Sequence, residues 1–187
     1  GQQKLISGIN KISSAVKSTL GPSGNTVLIE SPHHTHGITV TKDGVTVAKS
    51  IALLDPVENL AVRIMKEASE KTAVSAGDGT TTAIVLSEAL VNAGVLCIDE
   101  RNNKTAVFRE LVKATSHVVD KLKKMSKPVT DKKLVSVATI SANNDPAVGK
   151  IIADVYKEVG SNGIVTVERS QTAQTYYETT KGIKVDR

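Results

Sequence analysis

Hydrophobic residues recur along most of the chain with the spacing of amphipathic helices. At the start of the chain, the apolar residues that fall on one helical face are at positions 5, 6, 9, 12, 16 and 20. This first helix is predicted to end at Gly21-Pro22, because glycine followed by proline breaks helices. The same spacing, with capping residues at Asp55, Thr130 and Asp145, predicts further helices over residues 45–51, 56–76, 83–90, 104–125, 130–140 and 146–159.

Shorter stretches have the pattern of β-strands. Residues 25–30 and 38–41 flank a polar tip and predict a hairpin. Residues 164–168 alternate in polarity and predict a third short strand, before a polar extended segment at 172–185. The predicted fold class is therefore mainly α with small β elements (α+β). Because an isolated hairpin is only marginally stable in water, this one is expected to pair with strands elsewhere in the chain or in a neighbouring chain.

The composition is that of a folded globular protein. Hydrophobic residues make up 40% and charged residues 23% of the 187, which argues against extensive disorder. The formal net charge is +5, but acidic and basic residues are interspersed. An aromatic content of 2% also provides few of the stacking platforms that bind single-stranded nucleic acid. We therefore expect no nucleic-acid partner.

Neither a disulfide nor a membrane anchor is expected. Cys97 is the single cysteine, so no internal disulfide can form, which fits a reducing compartment. Its apolar neighbours predict that Cys97 is buried. No apolar run reaches the roughly 20 residues that span a bilayer, and no signal peptide is visible.

The segment of residues 76–82, Ala-Gly-Asp-Gly-Thr-Thr-Thr, has the pattern of a phosphate-binding loop before a helix. Gly77 and Gly79 would let backbone amides approach an anion, and a helix N-terminus attracts phosphate through its unpaired amides and its dipole. Asp78 would repel phosphate unless a Mg²⁺ ion lay between them. A capping turn without chemical function explains the same residues. The loop is not a Walker loop, because no lysine follows the glycines in the required register.

Two other segments combine chain-breaking residues with polar ones. Residues 19–24 end the first helix, and residues 41–44 follow the predicted hairpin. Lys42 would suit phosphate charge and Asp43 would suit the orientation of water. Each segment alone is equally an ordinary turn, since glycine and proline are common at such positions.

Longer motifs connect these segments to a known family. They are Thr-Lys-Asp-Gly-Val-Thr-Val-Ala at residues 41–48, Ala-Gly-Asp-Gly-Thr-Thr-Thr-Ala at 76–83, Ala-Thr-Ile-Ser-Ala-Asn at 138–143, Val-Gly at 159–160 and Gly-Ile-Val-Thr-Val-Glu at 163–168. In order and spacing the chain resembles the N-terminal part of group I chaperonins, the ring-forming ATPases that assist protein folding. The run at 138–143 is similar to group I and not to the archaeal and eukaryotic-cytosolic group II.

The resemblance implies a division into domains. Residues 1–124 would be the first segment of an equatorial, ATP-binding domain. Residues 125–178 would be the first segment of an intermediate, or hinge, domain, and residues 179–187 would begin an apical domain. By composition, the clearest boundary is at residues 126–128, Ser-Lys-Pro.

The resemblance also implies roles for individual residues. Those expected to line the nucleotide are Thr19, Leu20, Gly21 and Pro22. Those expected to surround its phosphates are Gly77, Gly79, Thr80, Thr81 and Thr82. Asp78 would hold Mg²⁺, Lys42 would lie near the phosphates with a K⁺ ion close by, and Asp43 would help to position the attacking water as a catalytic residue.

The implied function is that of an ATP-dependent chaperonin subunit in a homo-oligomeric ring, with unfolded proteins and a lid co-chaperonin as partners. In this family the principal catalytic aspartate and the residues that hold the base lie in later segments, so this segment alone is expected not to hydrolyse ATP. Two other functions stay open: a Mg²⁺-dependent phosphotransfer enzyme, and a nucleotide-binding structural component without turnover. The expected location is the cytoplasm of a bacterial or virus-infected bacterial cell, with the mitochondrial matrix as the alternative.

Overall fold

The structure, a computed structural model, describes residues 1–21, 23–30, 37–98, 101–160, 162–180 and 182. The chain divides into two compact units, Gly1–Asp120 and Lys121–Arg187. Three predictions concern residues outside the described ones: the role of Pro22, the hairpin tip at 31–36, and most of the expected start of an apical domain at 183–187.

The first unit contains five helices and a hairpin among its described residues. In chain order they are α1 (Gln2–Lys17), β1 (Val27–Glu30), β2 (Ile38–Thr41), α2 (Gly44–Ser50), α3 (Pro56–Ala76), α4 (Thr80–Cys97) and α5 (Lys104–Met125), the last of which continues into the second unit. These elements confirm the predicted helices and hairpin. The fold class, mainly helical with a small sheet, is also confirmed.

Side-chain caps explain where two of these helices begin. Asp55 accepts hydrogen bonds from the amides of Val57 and Glu58, at 2.9 and 3.1 Å. Pro56 then occupies the first turn of α3, where its missing amide proton costs nothing. Asp43 caps α2 in the same way.

The hairpin is antiparallel, with Val27 opposite Thr41 and Glu30 opposite Ile38. Each strand has four residues and alternates between half-buried and exposed positions. Val27 packs against the core of the unit, whereas Leu28 and Val40, which face each other across the two strands, are 67% and 63% exposed. The hairpin therefore presents apolar side chains on its outer face.

The core of the first unit lies between α1, α2, α3 and α4. Its buried members are Ile12, Val16, Val47, Ala48, Val62, Met65 and Ile84. Gly8 allows α1 to approach α3 closely, because a Cβ at this position would lie 2.3 Å from the backbone oxygen of Glu58. Helix α5 contributes no buried residue. Among the described residues, the buried core thus reaches no further along the chain than the first turns of α4.

The second unit contains a pair of helices, α6 (Asp131–Ser141) and α7 (Pro146–Val159). They pack closely where Gly149 of α7 meets Thr139 of α6, since a Cβ on Gly149 would lie 2.6 Å from the Thr139 amide nitrogen. The turn between them places Asn143 and Asn144 at positive φ, 56° and 63°, a conformation that asparagine tolerates better than most residues.

Three details of the sequence-based prediction are wrong. Residues 164–168 form no strand, because among the described residues no neighbouring strand pairs with them. Thr130 occupies the N-cap position of α6, but its side chain makes no capping hydrogen bond. Cys97 is exposed, because it ends α4, whose buried residues, Ile84 and Glu88, lie farther towards its N-terminus.

Helix α4 is unusually apolar. It is the one helix in the described part of the chain whose length and composition would suffice to cross a bilayer, with a mean hydropathy of 1.5. A core helix of a globular domain passes the same test, and α4 packs against α1 and α3.

Candidate functional site

Two of the three segments singled out in the sequence, residues 41–44 and 76–82, meet at Gly44, next to the last turn of α1 that precedes the third segment. A Cβ on this residue would lie 1.9 Å from Thr81 Oγ1 and 3.3 Å from a methyl carbon of Val16. Gly44 begins α2, Thr81 lies in the first turn of α4, and Val16 lies in the last turn of α1. The structure therefore brings the start of α2, the glycine-rich loop and the end of α1 together, and glycine is the residue that permits this approach.

The glycine-rich loop leaves the N-terminus of α4 open. Gly77 ends α3 with φ 72°, and Gly79 precedes α4 with φ 82°. Both are left-handed conformations that glycine adopts at low cost. Among the described residues no side chain caps α4, so its first amides and the positive end of its dipole stay available to an anion.

The side chains of the loop suit a metal-bound anion. Asp78 is exposed, and its Oδ1 accepts a hydrogen bond from the Gly79 amide at 2.6 Å. Thr80 and Thr81 are half-buried and Thr82 is exposed. No cluster of three or more metal-ligating side chains occurs among the described residues. Mg²⁺ commonly uses one or two carboxylates together with phosphate oxygens and water, so a single aspartate beside an open helix N-terminus fits it.

The end of α1 continues into a tight turn. The Thr19 side chain is buried, and its hydroxyl donates to the Val16 carbonyl at 2.8 Å. The Asn25 amide donates to the Ser18 carbonyl at 2.7 Å, which returns the chain towards the hairpin. Gly21 has φ 78°, and the neighbouring Leu20 is 46% exposed. The turn thus offers an apolar side chain and backbone edges to a ligand.

The Lys42-Asp43 segment lies directly before α2. Both oxygens of Asp43 accept hydrogen bonds: Oδ1 from the Val45 amide at 3.3 Å, and Oδ2 from the Thr46 amide at 2.9 Å and the Thr46 hydroxyl at 2.6 Å. A carboxylate has about four acceptor positions, so Asp43 keeps capacity for one more donor, such as water. Lys42 is exposed and has no ion-pair partner within the described part of the chain.

The structure shows no direct contact between some of the predicted site residues. Asp43 precedes Gly44, which contacts Thr81, but no hydrogen bond links Asp78 to Lys42 or Asp43 among the described residues. The contacts are between elements, and a ligand would have to bridge the side chains. The roles assigned to these residues therefore stay predictions.

One polar group near the site was missed by the sequence reasoning. Glu88 of α4 is 8% exposed. It accepts a hydrogen bond from Ser13 Oγ at 2.8 Å and is paired with Lys17 Nζ, both on α1. Burial favours a raised pKa for Glu88, but the hydrogen bonds from Lys17 and Ser13 and the charge of Lys17 outweigh it, so the pKa is lowered. The available signal was a carboxylate on the same helical face as Thr81 and Ile84.

Comparison with known proteins gives consistent results. The model of the TCP-1/cpn60 chaperonin family matches residues 12–187. Two crystal forms of the chaperonin gp146 from the bacteriophage EL 2 (Pseudomonas aeruginosa), both solved in the presence of ATP-BeFx, are similar at 30% identity, with TM-scores of 0.73 and 0.72 and coverage of 87% and 84% of this chain. A group III chaperonin in the open state is similar at 26% identity and a TM-score of 0.68, over 86% of this chain. The chain spans 28% of the length of the phage chaperonin chains and 33% of the group III chain.

Proposed function

Because this chain belongs to the TCP-1/cpn60 chaperonin family, we propose that it is the nucleotide-binding and hinge-forming part of a group I chaperonin subunit. In the full-length protein, ATP binding and hydrolysis would drive a cycle that assists the folding of other proteins. Residues 1–124 would be the first equatorial segment and residues 125–178 the first intermediate segment. The placement in group I rests on the Ala-Thr-Ile-Ser-Ala-Asn run at residues 138–143.

The observation that carries the proposal is the contact of Gly44 with Thr81 and Val16. It supports a site in which the open N-terminus of α4 binds phosphates while the turn after α1 borders the rest of a nucleotide. Phosphoryl transfer depends mainly on positioning and on neutralisation of charge. The crystallisation of the phage chaperonin with ATP-BeFx also supports a nucleotide as the ligand.

Within this site each residue would have a separate task. Asp78 would hold Mg²⁺, which would neutralise phosphate charge when bound. Lys42 would lie near the phosphates beside K⁺. Asp43 would accept a hydrogen bond from the attacking water, using the acceptor position that its capping bonds leave free. The amides at Gly79–Thr82 would contact phosphate oxygens.

The exposed hairpin supports a contact with a neighbouring subunit in a homo-oligomeric ring. Its outward side chains Leu28, Ile38 and Val40 are 63–69% exposed, and a two-stranded hairpin gains stability when a further strand joins it. A neighbouring subunit would supply that strand. Unfolded proteins and a lid co-chaperonin would be further partners of the whole assembly.

The second candidate is a nucleotide-binding ring component without turnover of its own. It is favoured by the hydrogen bonds of Asp43, whose carboxylate already accepts three of them from α2. All three donors belong to α2, so the carboxylate is held by the start of this helix and is less free to orient water. Turnover would then depend on residues outside this sequence.

Equilibrium binding of a fluorescent ADP derivative to the full-length protein, with and without Mg²⁺, tests the proposal. We expect Mg²⁺-dependent binding that Asp78→Ala weakens by at least tenfold. Thr115→Ala on α5, whose hydroxyl bonds only the Leu111 carbonyl among the described residues, should bind as the wild type does. Absence of binding would refute the nucleotide site. Binding without measurable ATP hydrolysis by the full-length protein would favour the second candidate.

A further inference from the structure

We propose that Glu88 is a positioning residue of the nucleotide site, which acts by holding the C-terminal end of α1 against α4 through Lys17 and Ser13. This inference rests on the proposed function, because it concerns the same site. Glu88 would touch no part of the ligand. Its effect would be to fix the turn after α1 relative to the open amides of α4.

The contacts of Glu88 leave it little freedom. Its Oε2 accepts from Ser13 Oγ at 2.8 Å and is also paired with Lys17 Nζ. Glu88 is 8% exposed and Ser13 is fully buried. A buried carboxylate is stable only while it stays paired and hydrogen-bonded. The pair therefore resists any displacement of α1 along α4.

The position of the pair connects it to the ligand-facing groups on both helices. Thr81, Ile84 and Glu88 share one face of α4, because they are spaced by three and four residues. Along this face Thr81 contacts the start of α2, Ile84 enters the core and Glu88 binds α1. Two turns of helix thus separate the anchor of α1 from the predicted phosphate-binding turn.

On the α1 side, Lys17 is the last helical residue. Its carbonyl accepts from the Leu20 amide at 3.1 Å, and the next carbonyl, that of Ser18, accepts from the Asn25 amide at 2.7 Å. A shift of Lys17 therefore moves the whole turn that borders the predicted site. The chain has no other ion pair between α1 and α4 within its described residues.

The proposed anchoring of α1 depends on the charge of Glu88 and not on its volume. Glutamine at position 88 would keep the side-chain length and would still accept from Ser13, but it would leave the ammonium of Lys17 without a counter-charge. The Lys17 side chain is 44% exposed, so it would then turn towards water. The Glu88→Gln variant thus separates anchoring by charge from packing.

The test measures the dissociation constant of the fluorescent ADP derivative with Mg²⁺ for full-length variants, well below their unfolding temperatures. We expect Glu88→Gln to weaken binding by about tenfold. This is the lower end of the effect on metal affinity of residues that orient metal ligands. Lys17→Met should weaken it equally, and the double variant should be no worse than either single one, because both remove the same contact. Lys17→Arg should bind as the wild type does, because it keeps the pair.

Glu67→Gln is the matched control, since it removes an exposed ion pair with Lys71 on α3 by the same chemical change. It should leave binding unchanged. Hydrogen exchange provides a readout without ligand: the Asn25 amide should exchange faster in Glu88→Gln and not in Glu67→Gln. Faster exchange together with weaker binding supports the proposal.

Two outcomes would overturn it. Equal binding by the wild type and Glu88→Gln, even with a lower unfolding temperature, would reduce Glu88 to a structural residue and leave the proposed function intact. A wild-type protein that binds no nucleotide would overturn the proposed function and this inference with it.

Discussion

Replacement of Gly44 by alanine is the sharpest test of the site's architecture. The new Cβ would lie 1.9 Å from Thr81 Oγ1, where an ordinary contact is 3.4 Å or more. Rotation of Thr81 would not remove the conflict, because its Cβ would still lie 3.1 Å away and the Val16 methyl 3.3 Å away. Thr81 must therefore rotate, and the start of α2 or its neighbours must also shift by a few tenths of an ångström.

Two opposing effects determine how much Gly44→Ala lowers the local stability. Overpacking a well-packed site costs about 1–3 kcal/mol. Alanine in place of helical glycine contributes about 0.5–1 kcal/mol in the other direction, and less at the first residue of a helix. The overpacking term should win, so the local free energy of unfolding around α2 and α4 should fall by about 1–2 kcal/mol.

Hydrogen exchange of the full-length protein, followed by mass spectrometry, reports this local stability. A loss of 1–2 kcal/mol corresponds to exchange faster by a factor of about 5–30 in peptides from α2 and the first turns of α4. Gly94→Ala is the matched control, because a Cβ on Gly94 meets nothing within 4 Å. It should leave exchange unchanged or slow it.

The double variant Gly44→Ala with Thr81→Ala completes the test, because it removes the nearest clashing atom. We expect the double variant to regain part of the stability that Gly44→Ala loses. If Gly44→Ala exchanges like the wild type, or if Thr81→Ala brings no recovery, then α2 and α4 do not meet as the structure has them. These elements would then not form a single site.

Three further predictions concern the second unit, the metal and acid stability. Gly149→Ala should destabilise the α6–α7 pair by about 2–3 kcal/mol, because its Cβ would lie 2.6 Å from the Thr139 backbone; unchanged hydrogen exchange in these helices would contradict this. Asp78→Asn should raise the Mg²⁺ concentration needed for half-maximal nucleotide binding by about tenfold or more, and an unchanged Mg²⁺ titration would exclude Asp78 as its ligand. The hydrogen bond from Lys11 lowers the pKa of Glu58 in the folded protein, so the unfolded chain binds a proton at Glu58 more readily. The stability that Glu58 contributes is therefore present above the ordinary pKa of glutamate. It is lost as the pH falls through the lowered pKa. Glu58→Gln should therefore show a weaker loss of stability in acid titrations, and parallel acid limbs for both proteins would disprove the assignment.

The sequence predicted the helices well because their signals are local. Asp55 and Asp145 cap helices that begin with proline, and both make the expected hydrogen bonds. The glycines and threonines at residues 76–82 likewise predicted the start of a helix, and α4 begins at Thr80. Each of these features depends on residues within a few positions of one another, so periodicity and capping rules suffice to find them.

The features that were missed depend on partners distant in sequence. Glu88 is bound by Ser13, 75 residues earlier, and no local pattern shows that a carboxylate on an apolar helix will find such a partner. The alternation at residues 164–168 indicated a strand, but a strand also needs a neighbour to pair with. Cys97 has apolar neighbours in sequence, yet its exposure depends on which helices reach the end of α4.

The early position of these buried residues in the chain has a consequence for synthesis on the ribosome. The buried core of the first unit extends from Ile12 to Ile84, and α5 adds no buried residue to it. Domains fold N-terminal first while the chain is made at about 5–20 residues per second. The contacts among these buried residues, together with that of Gly44 and Thr81, can therefore form once α4 has emerged, several seconds before the second unit has been translated. These residues of the predicted nucleotide site would thus be in place before the second unit has been made.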